Sequence, residues 1–97
     1  MHRIYTHDFM KPKHVSNYME AMGFTDGDFM PCEACGLHGN EVHHVEPRSS
    51  FGSKRKAEQD HHSNLIMLCR PCHNDAHGPQ SREIKEVLKR IIAKRTV

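Results

Sequence analysis

The stretch that decides the fold is NLIMLCRPCHNDAH, residues 64–77. Its apolar run, residues 65–68, predicts a short buried segment that leads directly into two cysteines. Pro71 lies between these cysteines and suits the first turn of a helix that would carry His73 and His77 and stop at the following Gly-Pro pair. Two imidazoles four residues apart lie on one helical face, so a single rigid element could present two metal ligands.

A matching pair of cysteines precedes this stretch. Cys32 and Cys35 have the same spacing as Cys69 and Cys72, and each pair is typical of a zinc knuckle. Four thiolates fill a tetrahedral zinc site without leaving an open position, so the predicted zinc is structural. Two disulfides are the alternative. Nothing in the sequence indicates export, and paired thiols in a reducing compartment are more often metal ligands.

The segment between the cysteine pairs contains two adjacent histidines. Residues 41–46, EVHHVE, are bounded by Gly-Asn before and Pro after, which predicts a short strand. Successive strand residues point to opposite faces, so His43 and His44 would have different neighbours and could have different roles.

Helices are predicted on both sides of this region. Apolar residues at helical spacing predict a first helix from about Pro12 to Gly23. A last helix would begin with Ser81 as its N-cap and carry an apolar stripe of Ile84, Val87, Leu88, Ile91 and Ile92. Residues 48–62 read as a flexible basic loop or irregular hairpin.

Composition limits the size of the core. Only 36% of the 97 residues are apolar and there is no Trp, so burial alone would leave the fold marginal and a bound metal would supplement it. No apolar run approaches the roughly 20 residues of a membrane span, and the N-terminus lacks a signal-peptide stretch. We therefore expect an intracellular, soluble protein with no membrane partner.

Charge is distributed unevenly along the chain. Residues 1–47 hold three Lys or Arg against seven Asp or Glu, a balance of −4, whereas residues 48–97 hold eleven against five, a balance of +6. The basic half could face phosphates, although a solvated surface would explain it equally well.

Taken in order, Cys-x-x-Cys, VHHV and NLIMLC-x-x-CH-x-x-x-H resemble the HNH endonuclease family over residues 32–77. The resemblance implies an α+β fold with a small ββα-metal, treble-clef-like core, stapled by the four-cysteine zinc site and flanked by N- and C-terminal helices. We expect one domain over residues 1–97. It would comprise a helical extension (1–28), the zinc-stapled core (29–79) and a C-terminal helix (80–97).

The resemblance also implies a role for each matching residue. His44 would be the general base, Asn64 the middle Asn of the family's name, and His73 the closing His. The implied ligands of one catalytic divalent cation (Mg²⁺, Mn²⁺, Ni²⁺ or Zn²⁺) are His43, His73 and His77, with Asn74 a less favoured substitute.

Phosphodiester hydrolysis needs residues of these types. A water must lose a proton and charge must be neutralised on the phosphate. The imidazole of His44, neutral near pH 7, can take that proton, and Asn64 can hydrogen-bond the backbone that carries it. The basic residues that follow the histidine pair are expected DNA contacts, with a solvated surface as the alternative: Arg48, Lys54, Arg55 and Lys56.

These observations together predict a metal-dependent DNA endonuclease in the cytoplasm of a bacterial or phage-infected cell. A protein partner or a homodimer could supply its specificity. The alternative is a non-catalytic zinc-binding module that holds DNA or a protein, and a third hypothesis is a metal-storage or sensing protein. The remaining histidines have no predicted role: His2, His7, His14, His38, His61 and His62.

Overall fold

A computed structural model describes residues 12–47, 51–52 and 55–95, except for the side chain of Lys56. In chain order the elements are α1 (Lys13–Met22), β1 (Glu41–His44), α2 (Lys56–Gln59), a 3₁₀ turn (His62–Asn64), β2 (Leu65–Leu68), α3 (Arg70–Ala76) and α4 (Ser81–Ala93). The predicted α+β fold, with two strands and flanking helices, is confirmed. No helix in the described part of the chain is both long and apolar enough to cross a bilayer.

The two strands form an antiparallel pair. His43 lies opposite Ile66, and His44 lies opposite Leu65. All four residues of β2 are buried, so helices must cover this strand on both faces.

Helix α1 covers one face of the sheet. Its C-terminus is Gly23, whose left-handed φ of 80° lets the backbone N–H bond back to the carbonyls of Glu20 and Met19. The predicted end of this helix is therefore confirmed. The buried residues on this face are Val15, Tyr18, Met19, Val42, Leu65 and Met67.

Helices α3 and α4 and the cysteine pairs cover the opposite face. The buried residues there are Cys32, Val45, Ile66, Leu68, Cys69 and Leu88, and Ile84, Ile91 and Ile92 of α4 pack against them. The predicted stripe of α4 is thus largely correct. Val87 is the exception, because its side chain is 45% exposed.

Several local expectations are wrong. Within the described part of residues 48–62, the chain forms α2 and enters the 3₁₀ turn instead of remaining a loop. Ser81 is the first residue of α4, and Gln80 occupies the N-cap position without a side-chain cap bond. His77 follows α3 as its C-cap, because the next residues, Gly and Pro, do not continue a helix. Strand β1 ends at His44, two residues earlier than expected.

Candidate metal centre and active site

Four sulfur atoms converge at one end of the β-hairpin. The Sγ atoms of the two cysteine pairs all lie within 4.8 Å of one another, and Cys35 Sγ is 3.5 Å from Cys69 Sγ. Zinc–sulfur bonds of about 2.3 Å in a tetrahedron place sulfurs about 3.8 Å apart. All four cysteines are free thiols in the structure, and their cluster is compatible with a structural zinc.

The first knuckle turns tightly around its sulfur ligands. Gly36 N–H donates to the carbonyl of Cys32 at 2.8 Å, and Cys32 N–H donates to the carbonyl of Leu37 at 2.6 Å. The turn requires φ of +83° at Gly36, which favours glycine. Burial opposes ionisation of Cys32, but backbone N–H groups of the two knuckles outweigh it and lower the pKa of this thiol to about 7. Zinc binds thiolates, and these N–H groups favour that form at Cys32, whereas burial and the neighbouring thiols raise the pKa of Cys72.

Three imidazoles form a second cluster on the face covered by α3. His43 comes from β1, His73 from α3 and His77 from its C-cap, and their ligand nitrogens lie within 4.8 Å of one another. The Nε2 atoms of His73 and His77 are 3.2 Å apart, close to the edge of about 3.3 Å that two zinc–imidazole bonds would span in a tetrahedron. The donor set therefore fits a divalent cation that accepts imidazole ligands.

The lowered pKa values of His43 and His73 also suit metal binding. Burial, followed by the neighbouring imidazoles of His73, His77 and His44, lowers the pKa of His43 to about 4. Burial likewise lowers the pKa of His73, although Glu41 opposes that shift. Cations bind the neutral imidazole, so His43 is in its binding form well below neutral pH.

Glu41 supports the histidine cluster from the start of β1. Its Oε1 lies 2.7 Å from His73 Nδ1, and a carboxylate at this ring nitrogen leaves Nε2 free to meet a cation. The sequence analysis did not identify Glu41, although its position two residues before His43 places it on the same strand face. Asn74, the substitute ligand, is exposed on α3.

His44 has different neighbours from His43, as the strand alternation predicts. Its Nε2 lies 2.9 Å from Oδ1 of Asp60, and its ring centroid lies 4.6 Å from that of His14 on α1. Ligand atoms of these three side chains also lie within 4.8 Å of one another. Sequence reasoning missed both His14 and Asp60, because no motif spacing relates α1 or residue 60 to the histidine pair.

Asn64 links the segment that follows β1 to the last residue of α2. Its Oδ1 accepts from Glu46 N–H at 2.8 Å, while its Nδ2 donates to the carbonyls of Glu46 at 3.1 Å and Gln59 at 3.0 Å. The side chain is buried, and all three bonds are to backbone groups. Asn64 thus holds the segment that immediately follows His44.

A cavity of about 250 Å³ opens beside the two histidine groups. His43, His44 and His77 line it together with Ser81 and Lys85 of α4. Lys85 Nζ lies 3.1 Å from Glu46 Oε1 at the edge of this cavity. The sequence analysis did not single out Lys85, because its position on α4 is that of an ordinary solvated charge.

The expected DNA contacts are only partly within the described structure. Arg55 is exposed and pairs with Glu58, its Nη2 lying 2.9 Å from Glu58 Oε1. Arg48, Lys54 and the side chain of Lys56 lie outside the described residues.

Comparison with known proteins identifies the same part of the chain. Residues 32–78 match the family model "HNH endonuclease". A mitochondrial DNA mismatch repair protein mutS homolog from Sarcophyton glaucum is 37% identical over 46 residues, which are 47% of this chain but only 5% of the relative's length. No solved structure matches the chain significantly. The matched residues include both cysteine pairs, the strand histidines and the helix histidines, and the resemblance to the HNH endonuclease family is confirmed over residues 32–78.

Proposed function

We propose that this protein is a metal-dependent endonuclease that hydrolyses DNA phosphodiester bonds. The observation that carries the proposal is the convergence of three imidazoles, two of which, His43 and His77, line a cavity together with a fourth, His44. A purely structural zinc module has no need of this second group, since the four cysteines already complete a closed site. The printed name of the relative, a DNA mismatch repair protein, is consistent with DNA as the substrate.

In this proposal His44 is the general base. Its neutral imidazole accepts a proton from water as the water oxygen bonds to phosphorus and the bond from phosphorus to the 3′ oxygen breaks. The leaving oxygen takes a proton from solvent, which yields the 5′-phosphate and 3′-hydroxyl ends expected from the family resemblance.

His43, His73 and His77 would hold the catalytic cation. Such an ion, when bound, neutralises charge on the phosphate and on the leaving oxygen. These residues supply nitrogen ligands from two neighbouring elements, strand β1 and helix α3 with its C-cap. Glu41 would orient His73 through its 2.7 Å contact with Nδ1.

Other residues would position the base or the substrate. Asn64 would hold the backbone after His44 through its bonds to Glu46 and Gln59. Arg48, Lys54, Arg55 and Lys56 stay predicted backbone contacts. A partner protein or a second copy of the chain would supply sequence specificity.

Supercoiled plasmid tests this function directly. Incubation with Mg²⁺, Mn²⁺ or Ni²⁺ should produce nicked circles, and EDTA should prevent nicking. His44→Ala should lower the nicking rate by at least roughly 100-fold, the usual contribution of a general base. His38→Ala, which removes an exposed histidine of the first knuckle, is the matched control and should nick like the wild type.

Three results would count against the proposal or one of its assignments. Retention of DNA without cleavage in any metal would favour the non-catalytic zinc module. Metal binding without DNA affinity would favour a storage or sensing protein. Equal nicking by wild type and His44→Ala would remove His44 from the role of base.

A further inference from the structure

We propose that Asp60 is the positioning residue of the proposed base: it accepts a hydrogen bond from Nε2–H of His44, with α1 holding the pair in place. The inference rests on the proposed function for the role of His44, and it assigns new roles to Asp60 and to two residues of α1. It also makes α1, which lies outside the matched residues 32–78, part of the active site.

A hydrogen bond joins His44 to Asp60. His44 Nε2 and Asp60 Oδ1 are 2.9 Å apart, and the two side chains are only 15% and 19% exposed. An ionised carboxylate can accept but cannot donate, so the hydrogen between the two atoms belongs to the imidazole. A neutral imidazole carries one N–H, and placing it on Nε2 leaves Nδ1 as the nitrogen that can accept a proton.

Helix α1 anchors Asp60 through a side-chain bond to its backbone. Asn17 Nδ2 donates to the backbone carbonyl of Asp60 at 2.8 Å, across 43 positions of sequence. This bond fixes the start of the turn that leads from α2 to the 3₁₀ turn and so fixes the origin of the carboxylate. Because the backbone of Asp60 is already held, only its side-chain freedom is lost when the carboxylate accepts from His44.

His14 of α1 packs against the ring of His44. Its ring centroid lies 4.6 Å from that of His44 with the planes tilted by 44°, so α1 also borders the ring of the base. Rotation of the His44 ring is therefore restricted on one side by His14 and at Nε2 by Asp60. Positioning of a catalytic imidazole requires constraint of both its tautomer and its orientation.

The tautomer of His44 can be measured without any nuclease activity. Long-range ¹H–¹⁵N correlation spectra of the full, zinc-loaded chain at about pH 8.5, where an ordinary imidazole is neutral, should show the His44 proton on Nε2. Asp60→Ala should convert this signal into a mixture of the two tautomers. Glu58→Gln is the matched control, since it removes a carboxylate from the same segment that pairs instead with Arg55, and it should leave the His44 signal unchanged.

A wild-type Nε2 without a proton would overturn the proposal. The proposal would fail if the proton were on Nδ1, and equally if a cation were bound between His14, His44 and Asp60. An unchanged His44 tautomer in Asp60→Ala would overturn it as well. If Asp60→Ala does not fold, Asp60→Asn keeps the volume while adding an amide that can donate to Nε2, and it should shift His44 toward the Nδ1–H tautomer.

Kinetics provide the second readout. Asp60→Ala should lower kcat for plasmid nicking roughly 10- to 100-fold with little change in KM, because substrate binding does not involve Asp60. A raised KM with unchanged kcat would contradict a positioning role. Absence of nicking by the wild type would remove the proposed function, but the spectra would still report whether Asp60 sets the tautomer of His44.

Discussion

Arg95 and Glu33 form a bidentate ion pair that joins the chain after α4 to the first cysteine knuckle across 62 positions of sequence. Arg95 Nε donates to Oε1 at 3.0 Å and Nη2 donates to Oε2 at 2.6 Å. The Tyr18 hydroxyl donates to the same carboxylate at 2.6 Å. Arg95 also donates to the backbone carbonyls of His62 and Leu65, at 2.9 and 2.5 Å. One guanidinium thus links α4, the 3₁₀ turn and β2 to the knuckle, and the Tyr18 bond adds α1.

Arg95→Ala should destabilise the zinc-loaded protein by about 3 kcal/mol, because the carboxylate of Glu33 would stay largely buried without its cation. Chemical denaturation followed by circular dichroism measures this change. Arg90→Ala removes an exposed arginine from α4 and should change the unfolding free energy by no more than about 0.5 kcal/mol. Equal effects of the two substitutions would show that the Arg95 pair contributes no more than a surface charge.

Gly39→Ala should destabilise the fold by about 1–3 kcal/mol through overpacking. A Cβ at residue 39 would collide with the side chain of Met67 and lie 2.6 Å from the carbonyl oxygen of Met30. Gly78→Ala is the control, since its nearest contacts would be ordinary ones of 3.5 Å. Thermal unfolding of both variants tests this, and a Gly39→Ala midpoint equal to that of Gly78→Ala would contradict the predicted clash.

Cys35→Ser should abolish the structural metal site even though Cys35 is exposed and contributes little to the core. Substitution of Co²⁺ for Zn²⁺ reports on this site selectively, because thiolate-to-cobalt charge transfer distinguishes the cysteines from the histidine cluster. The charge-transfer band should be strongly reduced in Cys35→Ser. Ala34→Ser alters the same exposed turn but leaves all four thiols, so its band should match the wild type. A full band in Cys35→Ser would exclude the four-thiolate site.

His43 should stay neutral throughout the range from pH 5 to pH 8, because burial and neighbouring imidazoles lower its pKa to about 4. In the unfolded chain the same imidazole titrates near about 6.5. Between these two values the unfolded state binds more protons, so His43 lowers the stability of the fold as the pH falls from about 6.5 toward 4. The Cε1–H chemical shift, followed without added divalent metal, measures this. A midpoint near 6.5 for His43 would contradict the prediction.

Much of the architecture is local and was therefore predictable. Local signals span only a few residues of sequence. They include the apolar periodicity of α1 and α4, the glycine at the end of α1 and the Pro between Cys69 and Cys72. The cysteine spacing predicted each knuckle for the same reason, since each is a short turn, and the four ligands that a structural zinc needs predicted that the two knuckles meet. Strand alternation was enough to predict that His43 and His44 have different neighbours.

Those neighbours were decided by tertiary structure. Asp60 and His14 meet His44, Lys85 enters the cavity, and Glu33 meets Arg95 only after the hairpin and helices have packed. Each of these contacts joins residues at least 15 positions apart, whereas periodicity and motif spacing carry information over only a few turns of chain. The sequence by itself determined which residue types could bind metal and on which elements they lie. Packing of α1 and α4 on opposite faces of one short hairpin decided which charges and imidazoles those residues meet.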